Sequence, residues 1–184
     1  DVDVAAGASY DQNNGLTGNL ISSGTTTLAG DVSGTVAQSA GSVTVDGAST
    51  LTGAVTISGG SFTASAQTTL GAGLSNDGTL DINAAVLGGQ TLTNTKAATI
   101  GANITGSFVQ NTDAAATTTV DGDANVSGGL DIDTGTLTVS AALTGDVDVA
   151  AGASYDQNNG LTGTLTTAGG ADIDGDITGD LISS

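Results

Sequence analysis

DVDVAAGASYDQNNGLTG, residues 1–18, returns letter for letter as residues 146–163. In a chain of 184 residues, an identical copy at an offset of 146 − 1 = 145 positions marks a repeat array, and repeats govern the fold before any single motif does. The correspondence continues past the identity. Leu20 answers to Leu165, Gly24 to Gly169, Leu28 to Ile173, Gly30 to Gly175, Asp31 to Asp176, Val32 to Ile177 and Gly34 to Gly179. Apolar positions and glycines are kept while polar letters drift, so the repeat unit spans the whole shared length.

A shorter period lies inside the long one. A Gly or a small residue followed by a β-rich stretch recurs at Gly7, Gly24, Gly41, Gly60, Gly78, near Lys96, near Ala115, and at Gly135, Gly152 and Gly169. Nine steps cover 169 − 7 = 162 residues, or 18 per step, and the offset of 145 is eight such steps. Thr17-Gly18-Asn19-Leu20-Ile21-Ser22-Ser23 also returns, as Thr178-Gly179-Asp180-Leu181-Ile182-Ser183-Ser184, about nine steps on. The register is weakest around Lys96 and Ala115, where the glycine is missing and a slip of a residue or two is expected.

Composition narrows the fold class. The chain has no Pro, Cys, Met, Trp or His, a single Lys in place of all cations, 30 Gly, and 19 acidic residues that are all Asp. Without Glu, Arg or Met, most strong helix formers are gone. Val, Ile, Leu and Thr alternate instead, cut by Gly, Asn, Asp and Ser, which is the strand-and-turn signature. Val43 and Val45, Leu80 and Ile82, Leu130 and Ile132, Leu137 and Val139 each skip one residue, so their side chains share one strand face. Strands of three to five residues at this spacing are too dense for a sandwich of about 100 residues. They suit coils that stack at about 4.8 Å with Val, Leu and Ile inside. The expectation is an all-β chain, a parallel β-helix (β-solenoid) of about ten coils of ~18 residues, roughly 48 Å long and narrow in its core. Residues 1–184 then form a single β-solenoid, with one super-repeat over 1–145 and the second copy starting at 146.

Leu51-Thr52-Gly53-Ala54-Val55, Leu143-Thr144-Gly145-Asp146-Val147 and Leu161-Thr162-Gly163-Thr164-Leu165 share a pattern in which Gly gives the backbone freedom for a corner. Asn13-Asn14-Gly15 and Asn158-Asn159-Gly160 turn the chain, either as coil corners or as hairpins, two readings that differ in strand direction. Repeated Gly-Thr-Leu-Thr-Val and Gly-Thr-Leu-Asp-Ile units in this Cys-free background resemble the β-strand repeats of secreted bacterial surface proteins, namely autotransporter passengers and filamentous-haemagglutinin-like adhesin rods. The resemblance implies an extracellular or cell-surface stalk, adhesin, layer or fibre component. No signal peptide is visible at Asp1 and neither end reads as an atypical cap, so a segment of something longer, or a subunit that caps itself by stacking on neighbours, is expected.

The net charge of −18 with Lys96 as the one cation argues against a nucleic-acid surface, which needs Lys and Arg, and against anionic membranes. No apolar run approaches the ~20 residues needed to span a bilayer. One reading of the charge is solvation that keeps β edges from pairing promiscuously. The other is calcium. Asp172-Ile173-Asp174-Gly175-Asp176 with Asp180 is the densest candidate, and Asp131 with Asp133 the second, because stacked carboxylates repel unless a cation bridges them and Ca²⁺ takes six to eight oxygens. The spacing is neither an EF-hand nor the calcium nonapeptide. No other cofactor is expected.

With no His, Cys, Glu or Arg, the usual nucleophile-base pairs, zinc sites and transition-state cations are lacking, and no enzyme is expected. Asp131 and Asp133 alone lack a cleft with aromatic platforms. Lys96 reads as a surface partner for an Asp rather than an isopeptide crosslink. Thr25-Thr26-Thr27 and Thr117-Thr118-Thr119 raise flat threonine ladders like those of ice-binding solenoids, and Gln12-Asn13-Asn14 raises a curli-like functional amyloid, both weakened by interrupting Asp. The functional expectation is a structural rod or fibre segment acting by coil stacking and self-association, with an adhesin stalk presenting a distant binding region as the alternative.

Overall fold

The structure is a computed structural model and describes residues 1–111 and 113–183. Ser184, the last letter of the short repeat, lies outside them. The described residues contain strands and turns and no helix, as a composition stripped of helix formers requires.

Each coil has three sides. The coil beginning at Leu20–Ser22 turns through Ser23-Gly24 into Thr25–Leu28, crosses a third side at Val32, and returns to the first at Val36–Gln38. First-side strands stack in one sheet whose path runs from Val2–Val4 to Leu181–Ser183, and second-side strands stack in a ten-stranded sheet from Ser9–Gln12 to Gly170–Ile173. The third side is assembled from bridges at Leu16, Val32 and Leu51, from the pair Ser49–Leu51 and Thr68–Leu70, and from a four-stranded sheet running from Ala124–Asn125 to Ile177–Thr178. Every pairing is parallel, each strand bonding to its counterpart one coil away; Ser9–Gln12, for instance, pairs parallel with Thr25–Leu28. That decides the open reading at Asn13-Asn14-Gly15: it is a coil corner, not a hairpin.

Alternation within strands builds the interior. The first-sheet column Leu20, Val36, Val55, Leu74, Leu92, Phe108, Leu130, Val147, Leu165 points inward, register partner on register partner, and every member is at most 2% exposed. Burial of such a side chain is worth about 1.5–3 kcal/mol, and a column delivers it once per coil. The middle letters of the threonine triplets also point in: Thr26 and Thr118 are buried, so the triplets alternate rather than forming outward runs of three.

The glycine period has a direct cause. A Cβ on Gly41 would stand 2.1 Å from the Gly24 carbonyl oxygen, one on Gly60 2.1 Å from that of Gly41, and one on Gly78 2.3 Å from that of Gly60. At this corner each coil passes so close to the last that a side chain has no room. The strand follows Lys96 directly, but at Gly7, Ala115 and Gly152 the expected anchor is one residue early; the strands begin at Ser9, Thr117 and Ser154, after Ala8, Ala116 and Ala153. The reason is a longer turn in those coils, closed by Ala8 N to Ala5 O, Ala116 N to Asp113 O and Ala153 N to Ala150 O at 3.0–3.1 Å. A second close approach sits at the third-to-first corner, where Gly145 and Gly163 adopt φ of +139° and +151°, as the Leu-x-Gly pattern anticipates.

Tyr10 and Tyr155 occupy the first and ninth strands of the second sheet, eight coils apart. Their surroundings differ. Tyr155 lies between Leu137 and Ala171 and is buried, its hydroxyl donating to Gln157 Oε1 at 2.9 Å, and burial pushes that hydroxyl well above its ordinary pKa. Tyr10 has a coil on one side only and is half-buried.

Candidate functional site

The outward residues of the first sheet form a groove over four coils. Val109, Asp131, Asp148 and Thr166 stand in register, joined by Asp146 and Ser107, around a cavity of about 420 Å³. Asp131 is the congested group. Partial burial first, and then the carboxylates of Asp133 and Asp148, raise its pKa above the ordinary 3.8. Its partner on the other side, Val109, brings no charge.

Asp146 has a different task. Its Oδ1 accepts the main-chain N–H of Thr164 at 2.8 Å, and in the first copy Asp1 Oδ1 accepts that of Asn19 at 2.7 Å. Asn19 Oδ1 in turn accepts Thr35 N at 2.9 Å, Asp31 Oδ1 accepts Thr50 N at 2.7 Å, and Asn103 Oδ1 accepts Asn125 N at 2.9 Å. Each side chain reaches one coil along the axis and satisfies a backbone donor at a corner, where the ladder is interrupted. Part of the acidic composition is thus spent on joining coils. A signal for this was present in the sequence: Asp1, Asn19 and Asp146 recur at one phase of the repeat.

The carboxylates expected to hold calcium are separated by the coil's own corners. Asp172 projects from the second sheet in Gly170–Ile173, Asp176 precedes the third-side strand Ile177–Thr178, and Asp180 precedes Leu181–Ser183 of the first sheet. Asp174 lies in the first of the intervening corners, its N–H donating to Gln157 O at 2.8 Å, and all four residues are exposed. Alternate aspartates share a face only along a continuous strand, and the chain turns twice between Asp172 and Asp180. Stacking does bring carboxylates together in pairs, Asp131 with Asp148 and Asp156 with Asp172. Among the described residues no three carboxylates form a group that could hold a metal ion. Lys96 Nζ lies 3.7 Å from Asp77 Oδ1 in an exposed pair one coil apart, the local partnership expected of it.

The second sheet's outer face carries two columns of short polar side chains, with Thr27, Thr44, Thr63, Thr99, Thr119 and Thr138 in one and Ser42, Ser61, Thr79 and Thr136 in the other. Asp11, Asp81, Asp156 and Asp172 interrupt the first column.

Sequence reasoning missed one feature outright, a polar column inside the core. Ser22, Gln38, Asn76, Asn94, Gln110 and Thr167 share the inward position that ends the first-sheet strands, and all are buried. Asn76 Nδ2 donates to Gly78 O and to Asn94 Oδ1, both at 2.8 Å, and Asn94 Nδ2 donates to Lys96 O at 2.8 Å. Their recurring bond to the carbonyl two residues on pins the tight corner into the second sheet.

Comparison of the chain with protein-family models, with curated proteins and with solved structures found no match.

Proposed function

We propose that the chain is a structural rod segment of a repetitive bacterial surface protein, extracellular, acting by coil stacking and by association through its coil edges. The observation that carries this reading is a contrast between the two sequence copies. Ile173 and Leu181 in the last coils are 36% and 54% exposed, whereas Leu28 and Val36, their counterparts one super-repeat earlier, are 0% and 1% exposed. The interior pair is sealed by Val45 and Val55 of the next coil. The edge at Gly170–Ile173 and Leu181–Ser183 offers the same kind of coil surface, and a further coil of the same pattern would cover it. The acidic exterior suits a solvated rod whose long sides repel while its edges attract.

Sedimentation over a wide concentration range at physiological salt, with micrographs of the same samples, tests the reading. Linear end-on species that lengthen with concentration and are reduced by Leu181→Asp support it. A strictly monomeric particle at all concentrations, or side-by-side bundles indifferent to Leu181→Asp, would overturn it.

A further inference from the structure

Residues 11–16 and 156–161 are the same hexapeptide, Asp-Gln-Asn-Asn-Gly-Leu, in two surroundings. In the second copy the main-chain N–H of Gly160 donates to Asn159 Oδ1 at 2.7 Å. The glycine nitrogen therefore rests against the carboxamide of the residue before it, whose carbonyl carbon is one bond from that oxygen. Its neighbours are committed to the inter-coil ladder, Asn158 N to Val139 O at 2.9 Å and Leu161 N to Asp176 O at 2.8 Å. Asn159 is exposed to water, and its Nδ2 donates to Ser140 O at 3.4 Å, which holds the amide plane. The first copy differs. There the Asn14 carbonyl accepts from Gln12 Nε2, and among the described residues Gly15 N makes no bond to the Asn14 side chain.

We propose that Asn159-Gly160 is a site of spontaneous deamidation through a cyclic imide, selected over the identical Asn14-Gly15 by the fold. Asparagine is a thermolabile residue, and glycine after it leaves the attacking nitrogen without a neighbouring Cβ. Hydroxide removes the Gly160 amide proton, and the nitrogen attacks Cγ of Asn159. The new C–N bond closes a five-membered ring, the Cγ–Nδ2 bond breaks, and the nitrogen leaves as ammonia with a proton from water. Water then adds to either ring carbonyl and opens it, leaving aspartate or isoaspartate at position 159. One ammonia is lost, one water is gained, and no oxidant takes part.

Conversion takes the net charge from −18 to −18 − 1 = −19. The isoaspartate branch also lengthens the main chain by one carbon immediately before Leu161–Thr162, the third-side strand that pairs with Leu143–Thr144 and Ile177–Thr178. The reaction therefore ages the junction between the last coils and the rest of the rod.

The duplication supplies the control. The intact protein is incubated at mildly alkaline pH, and the two peptides, told apart by Asn19 in one and Thr164 in the other, are assayed for isoaspartate by fragmentation mass spectrometry. In the native state, conversion at 159 runs several-fold faster than at 14; in urea, where the identical sequences lose their surroundings, the rates become equal. Gly160→Ala has room, the nearest heavy atom to the added Cβ being Asp176 O at 4.0 Å; it suppresses conversion at 159 and leaves that at 14 and the circular dichroism unchanged. Equal native rates, a faster Asn14, or conversion at 159 undiminished in Gly160→Ala would overturn the assignment.

Discussion

At the scale of single residues, the repeat is written in contacts that forbid side chains. Gly7 and Gly41 both have left-handed φ, +79° and +74°, yet nothing lies within 4 Å of a Cβ at Gly7 while one at Gly41 would meet the Gly24 oxygen at 2.1 Å. Gly7→Ala should therefore cost only the conformational term, about 1–2 kcal/mol. Gly41→Ala should add an overpacking cost of about 1–3 kcal/mol. Urea unfolding of the two variants separates the terms, and equal losses would mean that the coils part at that corner without cost. The buried amides give a second residue-scale expectation. Asn94→Ala removes one acceptor of Asn76 Nδ2 and one donor to Lys96 O, while Gly78 O and Thr117 N remain as their other partners, so the loss should be about 0.5–1.5 kcal/mol for each bond, again read by urea unfolding. The glycine column was legible because absence of a side chain is visible in letters. The polar column was not, because Gln, Asn, Ser and Thr in a strand ordinarily mark its outer face, and only the coil's tight corner, which turns main-chain carbonyls toward the end of the strand, brings them inside.

At the scale of elements, alternation and period specified the strands of the first two sheets closely, and the third side poorly. Strands such as Leu143–Thr144 and Leu161–Thr162 are two residues long and show no alternation to read, and Val86–Asn94 runs straight through a corner with a register shift at Gly88-Gly89 that no spacing announces. The carboxylates illustrate the same limit. Pairing Asp131 with Asp148 follows from stacking, but the dispersal of Asp172, Asp176 and Asp180 over three sides depends on where the corners fall. The Asp131 pair has a pH signature with a definite sign. The folded pKa of Asp131 is raised above 3.8 by burial and then by Asp133 and Asp148, so the folded chain holds this proton more tightly than the unfolded one. Its contribution is fully present below the unfolded value and is lost as pH rises through the folded one. Asp146 and Asp148 face it from the next coil, Val109 from the previous one, and no cation lines the groove. Asp131→Asn should raise neutral-pH stability by about 0.2–1 kcal/mol, the scale of one cross-strand pair, and flatten the melting temperature between pH 7 and the acid limb. Added salt should shrink the gain, since the pair is partly solvated. A variant less stable than the parent at neutral pH would show that Asp131 has a favourable partner instead.

At the scale of the whole molecule, each coil touches only its neighbours, so stability is a sum of coil terms and nearest-neighbour interfaces rather than one cooperative core. A terminal coil has one interface where an interior coil has two, and the duplicated sequence isolates that difference from composition. Gly170–Ile173 is exposed along its length, whereas Thr25–Leu28, its counterpart 145 residues earlier, buries Thr26 and Leu28 completely. Leu181–Ser183 and Val36–Gln38 contrast in the same way. Local opening free energies follow such differences in burial. Native-state hydrogen exchange should therefore grade along the rod, slowest in the middle coils near Leu80, Ile100 and Val120 and fastest in the last coil, with the amides of 170–173 exchanging by orders of magnitude faster than those of 25–28. Association through the edge should reverse the gradient locally: at concentrations where end-on species form, residues 170–183 should gain protection while the middle coils stay unchanged. Uniform exchange along the chain would mean that the coils open as one unit, and a gradient untouched by concentration would separate the stacked fold from any stacking between molecules.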